Sequence, residues 1–250
     1  MQRIDINSDV GEGMGNDEIL MQYISSANIA CGVHAGSPEI MKRTVEWAIE
    51  YGVAIGAHFS YPDREQFGRV DMFDQMDPGV LMEIIIRQIR NLKSTCMNLG
   101  VQLDHVKPHG ALYNRAARDP KLSQLICEAI KNVDPGLPFF CASKSLAGEI
   151  AKANRIPFVH EVFADRGYES DGSLTPRSHK EAVIRDTDQS IAQVLQMIRS
   201  GTVRTRQNTS LPIIAESVCI HGDEKGAVRL AKMLADALKR EGIAIKSPNK

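Results

Sequence analysis

The amino-acid sequence predicts an α/β fold: a seven-stranded parallel (β/α) barrel, with residues 1–250 as one domain. Three observations predict it. Segments of strand character alternate with segments of helical period, the order that builds a parallel sheet. Nearly every strand segment ends in Asp, His, Lys or Glu followed by a glycine-bearing loop, and in α/β barrels the site lies at that end of the strands. The two faces of each strand also differ. Asp5, Asn7 and Asp9 oppose Ile4 and Ile6; Ala54, Gly56 and His58 oppose Val53, Ile55 and Ala57; His105, Lys107 and His109 share a face; Ser217, Cys219 and His221 oppose Val218 and Ile220. An open doubly wound sheet carries helices on both sides and needs apolar residues on both faces. One apolar face and one small or polar face instead suit a closed barrel with a polar interior.

The strand segments are 3–9, 26–34, 53–58, 103–109, 137–142, 157–163 and 215–221. Ser37-Pro38-Glu39 opens the first clear helix, with a cap residue and proline at the first helical position, and Gly52 closes it. Asp77-Pro78 opens a long helix that runs to Gly100. Asp119-Pro120 opens another, with Leu122, Leu125, Ile126, Ala129 and Ile130 at helical spacing. Helices are expected near 143–153 and 186–200. Asp223 precedes the last, whose stripe is Val228, Ala231, Leu234, Ala235 and Leu238. Two long loops, 59–77 and 164–185, follow strand ends and are expected to overhang the site. Residues 202–214 read as a small hairpin on the far side, and 243–250 as a loose tail.

Composition excludes several classes. Apolar content of 43% and charged content of 24% are those of a soluble globule. A formal net charge of −1 offers nothing to nucleic acid or to an anionic membrane. No apolar run is long enough to span a bilayer, and Met1-Gln2-Arg3-Ile4 enters a strand with no signal-peptide pattern. Five cysteines, an odd number without a C-x-x-C pair, argue against a disulfide framework or zinc ribbon; a reducing cytoplasm is expected.

The strand ends carry the chemistry. Asp9-Val10-Gly11-Glu12-Gly13-Met14-Gly15 is glycine-rich but matches neither phosphate-loop pattern, and Asp9 and Glu12 would repel phosphate. These carboxylates suit a metal, a substrate ammonium or acid–base work. His34, His58, His109 and His221 are candidate ligands, with Asp9, for one metal ion, although no local ligand spacing marks them. Lys107 and His109 share a strand face, where a lysine and an imidazole polarise a carbonyl and move a proton; neighbouring cations would lower the lysine pKa and Asp9 or Glu161 would oppose that. Arg166 and Arg177 are candidate clamps for a carboxylate, with an Asp165–Arg166 loop salt bridge as the structural alternative. Ser60 and Cys31 lack the elbow or base of a covalent nucleophile.

Five blocks carry a resemblance: Ser25–Gly36, Gly52–His58, His105–Asn114, Glu161–Tyr168 and Val218–Asp223. Together they resemble the LamB/YcsF family from about residue 3 to residue 243. The chain departs from the family pattern at Ser8, Ser37, Phe59, Thr175 and His179, and only the Ser37 change removes a carboxylate near the site. The resemblance implies a barrel of the glycoside hydrolase/deacetylase type. It also implies ATP-dependent opening of 5-oxoproline, a five-membered lactam, to glutamate, in concert with B and C subunits. In that reading Lys107, His109, His58, Glu161 and Asp9 are catalytic. His58 or His109 is the base for water, and Lys107 stabilises the oxyanion or phosphate. Asp9, Glu12 and Glu161 position water, ammonium or metal, and Arg166 holds the substrate carboxylate. Glu12, Asn28, His34, Arg177 and His221 join Arg166 in contacting substrate. ATP is the co-substrate, and a divalent metal such as Mg is a candidate. Two other readings compete: a metal-dependent hydrolase of N-acetylated sugars, and a non-catalytic scaffold in the complex.

Overall fold

The computed structural model describes residues 2–222 and 226–248, so Asp223 lies outside the described residues. In chain order the elements are β1 (Arg3–Val10), α1 (Asp17–Met21), β2 (Ser26–Ala30), α2 (Pro38–Tyr51), β3 (Ala54–Phe59) and α3 (Pro78–Asn98). Then come β4 (His105–Pro108), α4 (Gly110–Ala116), α5 (Pro120–Val133), β5 (Phe139–Ala142), α6 (Leu146–Ala153), β6 (Phe158–Phe163) and α7 (Thr187–Ser200). The chain ends with β7 (Thr202–Arg204), β8 (Ser210–Pro212), β9 (Ser217–His221), α8 (Ala227–Arg240) and β10 (Ala244–Ile245). Strands β1 to β6 pair in order and in parallel; β9 follows β6 and returns to β1, which closes a seven-stranded barrel.

The expected helix starts are built as their residues suggest. Ser37 accepts from the Ile40 amide, Asp77 from Gly79 and Val80, and Asp119 from Lys121 and Leu122, each just before a helical proline. Helices α1 and α4 escape a periodicity argument because five and seven residues hold too few turns. Helix α4 starts where the chain turns sharply after His109. Gly110 has φ +58°, and a Cβ there would sit 2.5 Å from the Gly68 carbonyl oxygen.

Strand parity separates two cores. The outward face, with Ile6, Val10, Ile29, Ile55, Phe59 and Val106, is fully or nearly fully buried against helix residues such as Val45, Ile85, Ile126 and Leu234. The inward face stacks polar residues, because Asp5 registers with Ser217, Asn7 with Cys219, and Asp9 with His221. At the floor, Asp5 accepts hydrogen bonds from Ser25 (2.5 Å), Ser26 (2.8 Å) and Ser217. Above it, His105 donates to the Asn28 side-chain oxygen at 2.8 Å. Gly56 makes room for that ring: a Cβ at 56 would fall 2.0 Å from His105 Nε2.

Two expectations are corrected. Residues 202–214 do form a hairpin, β7–β8, but not on the far side. Arg206 pairs with Glu169 at 2.8 Å in the loop after β6, and the Ile214 amide donates to Ser143 just after β5, so the hairpin leans on the mouth-side loops. The segment after 243 is not loose throughout, since Ala244 and Ile245 pair with Arg3 and Ile4 and extend the sheet beside β1.

Burial pushes the Asp5 carboxyl up to about 6, against its three hydroxyl donors. A raised acid pKa contributes stability that is fully present below the ordinary value near 4 and lost as pH rises through about 6. The difference is worth about 3 kcal/mol. Urea denaturation between pH 4 and 7 is therefore expected to show this decline in the native protein and not in Asp5→Asn, which has no charge to bury.

Candidate active site

The top of the barrel interior is an ion network centred on Lys107. Its Nζ lies 2.8 Å from Asp9 Oδ1, 2.8 Å from Glu161 Oε1, 3.3 Å from Asn7 Oδ1 and 3.2 Å from Cys219 Sγ. Asn7 Nδ2 donates to Glu161 Oε1 (2.8 Å) and to Ser217 (2.7 Å), while Asn28 Nδ2 donates to Asp9 Oδ1 (2.8 Å) and Asn7 Oδ1 (2.7 Å). Burial opposes the charge on Lys107, but Asp9, then Cys219 and Glu161, drive its pKa well above the usual lysine range. Burial likewise works against the Asp9 carboxylate, yet His58 and Lys107 hold it well below the usual range. Of the two opposing influences expected on the lysine pKa, that of Asp9 and Glu161 prevails, because carboxylates rather than cations surround it.

A second cluster lies beside Asp9. His58 Nδ1 sits 3.1 Å from the Lys107 carbonyl oxygen, and His109 Nε2 sits 2.9 Å from that of Phe67. A carbonyl oxygen accepts only, so both nitrogens carry protons. The remaining nitrogens, His58 Nε2 and His109 Nδ1, face one another at 2.9 Å. Asp9 Oδ2 is 3.3 Å from the first and Glu12 Oε1 3.6 Å from the second. His34 Nε2 is 3.3 Å from the same Glu12 oxygen, and its ring stacks on His109 at 3.9 Å. Burial and neighbouring imidazoles push His34 and His109 well below the usual histidine range, so both are neutral near pH 7.

On the opposite wall, His221 Nδ1 meets Asp165 at 3.0 Å, and its ring lies nearly parallel to Phe163, with centroids 5.5 Å apart. Burial raises the Asp165 carboxyl, but His221 outweighs it and leaves the pKa low. A cavity of about 240 Å³ opens above, lined by Asp9, Glu12, His58, Lys107, His109 and His221 below and by Arg69, Arg166 and Arg177 around its rim. A larger cavity of about 610 Å³ adjoins it over β5, sharing Tyr113, Asn114 and Phe163 and reaching Glu161 and Lys144.

The structure gathers Asp9, Glu12, His58, Lys107, His109, Glu161, Arg166, Arg177 and His221 around these cavities and revises several roles. The neighbours of Lys107 Nζ given above all belong to the barrel, and they outnumber the protons of the ammonium. All of its protons are therefore engaged within the barrel in this structure. Asn28 and His34 are buried behind Asp9 and His109 and do not line the smaller cavity. Arg166 donates through Nε to Ala182 and through Nη2 to Thr175 (3.0 and 2.7 Å), strapping the overhanging loop. The Asp165 partner is His221, not Arg166.

Asn7, Arg69, Tyr113 and Cys219 are site members that sequence reasoning does not single out. Strand parity puts Asn7 and Cys219 on the interior face, which is the signal that could have found them. Arg69 rests over the Phe67 ring and reaches the cavity through a loop path that no spacing reveals.

The closed parallel barrel of seven strands has the fold of the glycoside hydrolase/deacetylase-type (β/α) barrels. The peptidoglycan deacetylase of Bacillus subtilis shares the fold at TM-score 0.51 and 10% identity, over 99% of this chain and 88% of its own. Within that class, residues 4–250 match the LamB/YcsF family, and the chain belongs to it. The 5-oxoprolinase A-subunit of Histophilus somni is 44% identical over 99% of both chains. The lactam utilization protein of Thermus thermophilus superposes with TM-score 0.90 at 34% identity, covering 98% of this chain and 99% of its own.

Lys107→Met leaves Asp9 and Glu161 buried without their cation. A loss of about 3–5 kcal/mol in unfolding free energy is expected by urea denaturation at pH 8. The deficit should shrink as pH falls and the orphaned carboxylates take up protons.

Proposed function

We propose that this chain is the lactam-opening component of an ATP-dependent 5-oxoprolinase, converting 5-oxo-L-proline to L-glutamate with B and C partner subunits. The observation that carries the reading is the small cavity, with three guanidiniums at its rim and Asp9, His58 and His109 at its base. It suits a small anionic ring: the guanidiniums attract the carboxylate and the basic atoms face the carbonyl carbon. Near-full-length similarity to proteins named as the A-subunit of 5-oxoprolinase supports the same substrate.

A lactam is resonance-stabilised and its ring closes spontaneously, so opening needs coupling to ATP. The γ-phosphoryl group passes to the lactam oxygen, ADP leaves, and the ring carbon becomes electrophilic. Water adds there and loses a proton to the base cluster. The ring C–N bond then breaks as nitrogen takes up a proton, and transfer of the phosphoryl group to a second water frees phosphate and glutamate. Asp9 Oδ2, beside His58 Nε2 and on the cavity wall, is the base in this scheme. The chain has no phosphate-loop motif, so the phosphoryl transfer belongs to the assembled complex.

All five cysteines are free and buried, which supports a reducing cytoplasm as the compartment. No helix of the described residues is long and apolar enough to cross a membrane.

The assay measures glutamate and phosphate formed from 5-oxoproline and ATP by this chain alone and with its partner subunits. Turnover should require the partners and fall at least about 100-fold in His58→Asn and in Asp9→Asn. Turnover within about threefold of native in both variants would leave a scaffold as the better reading. Release of acetate from N-acetylated sugars without ATP would favour the deacetylase reading.

A further inference from the structure

We propose that Glu12, His34, His58 and His109 form a binding site for one divalent transition-metal ion of the zinc class. The four residues come from four successive strand ends: the turn after β1, the loop after β2, the end of β3 and the turn after β4. One ligand atom from each lies within 4.8 Å of all the others. The closest separations are 2.9 Å for His58 Nε2 to His109 Nδ1, 3.3 Å for His34 Nε2 to Glu12 Oε1 and 3.6 Å for His109 Nδ1 to Glu12 Oε1. A tetrahedral zinc at about 2.0–2.1 Å from its ligands sets them about 3.3 Å apart. These three edges bracket that value, and the other three are no longer than 4.8 Å.

The hydrogen bonds make the stronger argument. His58 Nδ1 and His109 Nε2 are both committed as donors to backbone carbonyls, those of Lys107 and Phe67. The inner nitrogens, His58 Nε2 and His109 Nδ1, turn toward each other across 2.9 Å next to the Glu12 carboxylate, an arrangement that one shared cation would bridge. Carbonyl oxygens that hold the outer N–H of a histidine are the usual orienting shell of a metal-bound imidazole. His34 lacks such a carbonyl, since its Nδ1 is buried with no hydrogen-bond partner among the described residues, and its ring is held by stacking on His109 and by the Nε2 contact with Glu12.

A neighbouring cluster, Asp9, Cys219 and His221, has similar spacing. There the cation position is already taken, since the Lys107 ammonium lies 2.8 Å from Asp9 and 3.2 Å from Cys219. The barrel mouth thus places a fixed cation at the second cluster and four converging ligand atoms at the first. Three nitrogens and one oxygen suit zinc, cobalt, iron or manganese better than magnesium, which prefers oxygen ligands. The expectation of Mg does not fit this donor set. When bound, such an ion supplies Lewis-acid polarisation beside Asp9.

The test needs no substrate, so it stands or falls separately from the lactam reading. The full chain is stripped by dialysis against a chelator and titrated with Co²⁺, with visible absorption followed. An endpoint at one equivalent is expected, displaced by Zn²⁺ and not by millimolar Mg²⁺. His58→Gln and His109→Gln should each weaken binding at least about 100-fold, while His221→Gln should bind as the native chain does. Binding below about a tenth of an equivalent in the native chain would overturn the proposal, as would unchanged affinity in both ligand variants. If those variants fail to fold, imidazole ¹⁵N spectra of the native protein decide. Addition of Zn²⁺ should shift three of the seven histidines, and a spectrum that does not respond would overturn it.

Discussion

Closing seven strands into a barrel creates an interior that must be filled, and in this protein the filling is charged. Lys107 sits at the centre of it, buried, with Asp9 and Glu161 each 2.8 Å from its ammonium. A buried ion pair is stabilising only when geometry and further hydrogen bonds compensate for lost hydration. Asn7 on β1, Asn28 on β2 and Ser217 on β9 supply those bonds. The network therefore ties β1, β2, β4, β6 and β9 to one point. Moving any one of these strands by a residue would turn its polar group outward and leave a buried charge unmatched.

This constraint shapes the site above it. Because Lys107 is saturated by the barrel, Asp9 is held as a carboxylate with one oxygen turned to the ammonium and the other to His58. His58 and His109 are fixed in turn by backbone carbonyls. The basic atoms at the mouth are thus set before any ligand arrives, and so need little reorganisation. The cationic rim behaves differently. Arg69 and Arg177 are exposed and come from long loops, while Arg166 is strapped beneath. The base is thus fixed by hydrogen bonds, while two of the three rim guanidiniums stand exposed on loops.

Much of the fold is legible in the sequence because its signals are local or periodic. Proline after an Asp or Ser marks helix starts, and alternation marks strand faces. The polar strand ends are legible for the same reason, and Asp9, His58, Lys107, His109 and Glu161 do converge. Individual roles are not. Asn28 as a substrate contact and Lys107 as an oxyanion holder come from the resemblance alone, and parity shows which way a side chain points, not what it meets. The hairpin at 202–212 is visible as a hairpin but not in its place, since nothing local in it encodes the Arg206–Glu169 contact.

By itself, then, the sequence determined the alternation of elements, the polar inner face and the end of the barrel where chemistry gathers. Those follow from backbone geometry of period two and from side-chain preferences over a few residues. Only the tertiary structure decided which polar groups neutralise one another and which remain for chemistry. Those partners lie 98 residues apart for Lys107 and Asp9 and 51 apart for His58 and His109. Their pairing depends on barrel register and on burial, which no local pattern carries. The same register that satisfies Lys107 leaves the three imidazoles and Glu12 facing one another.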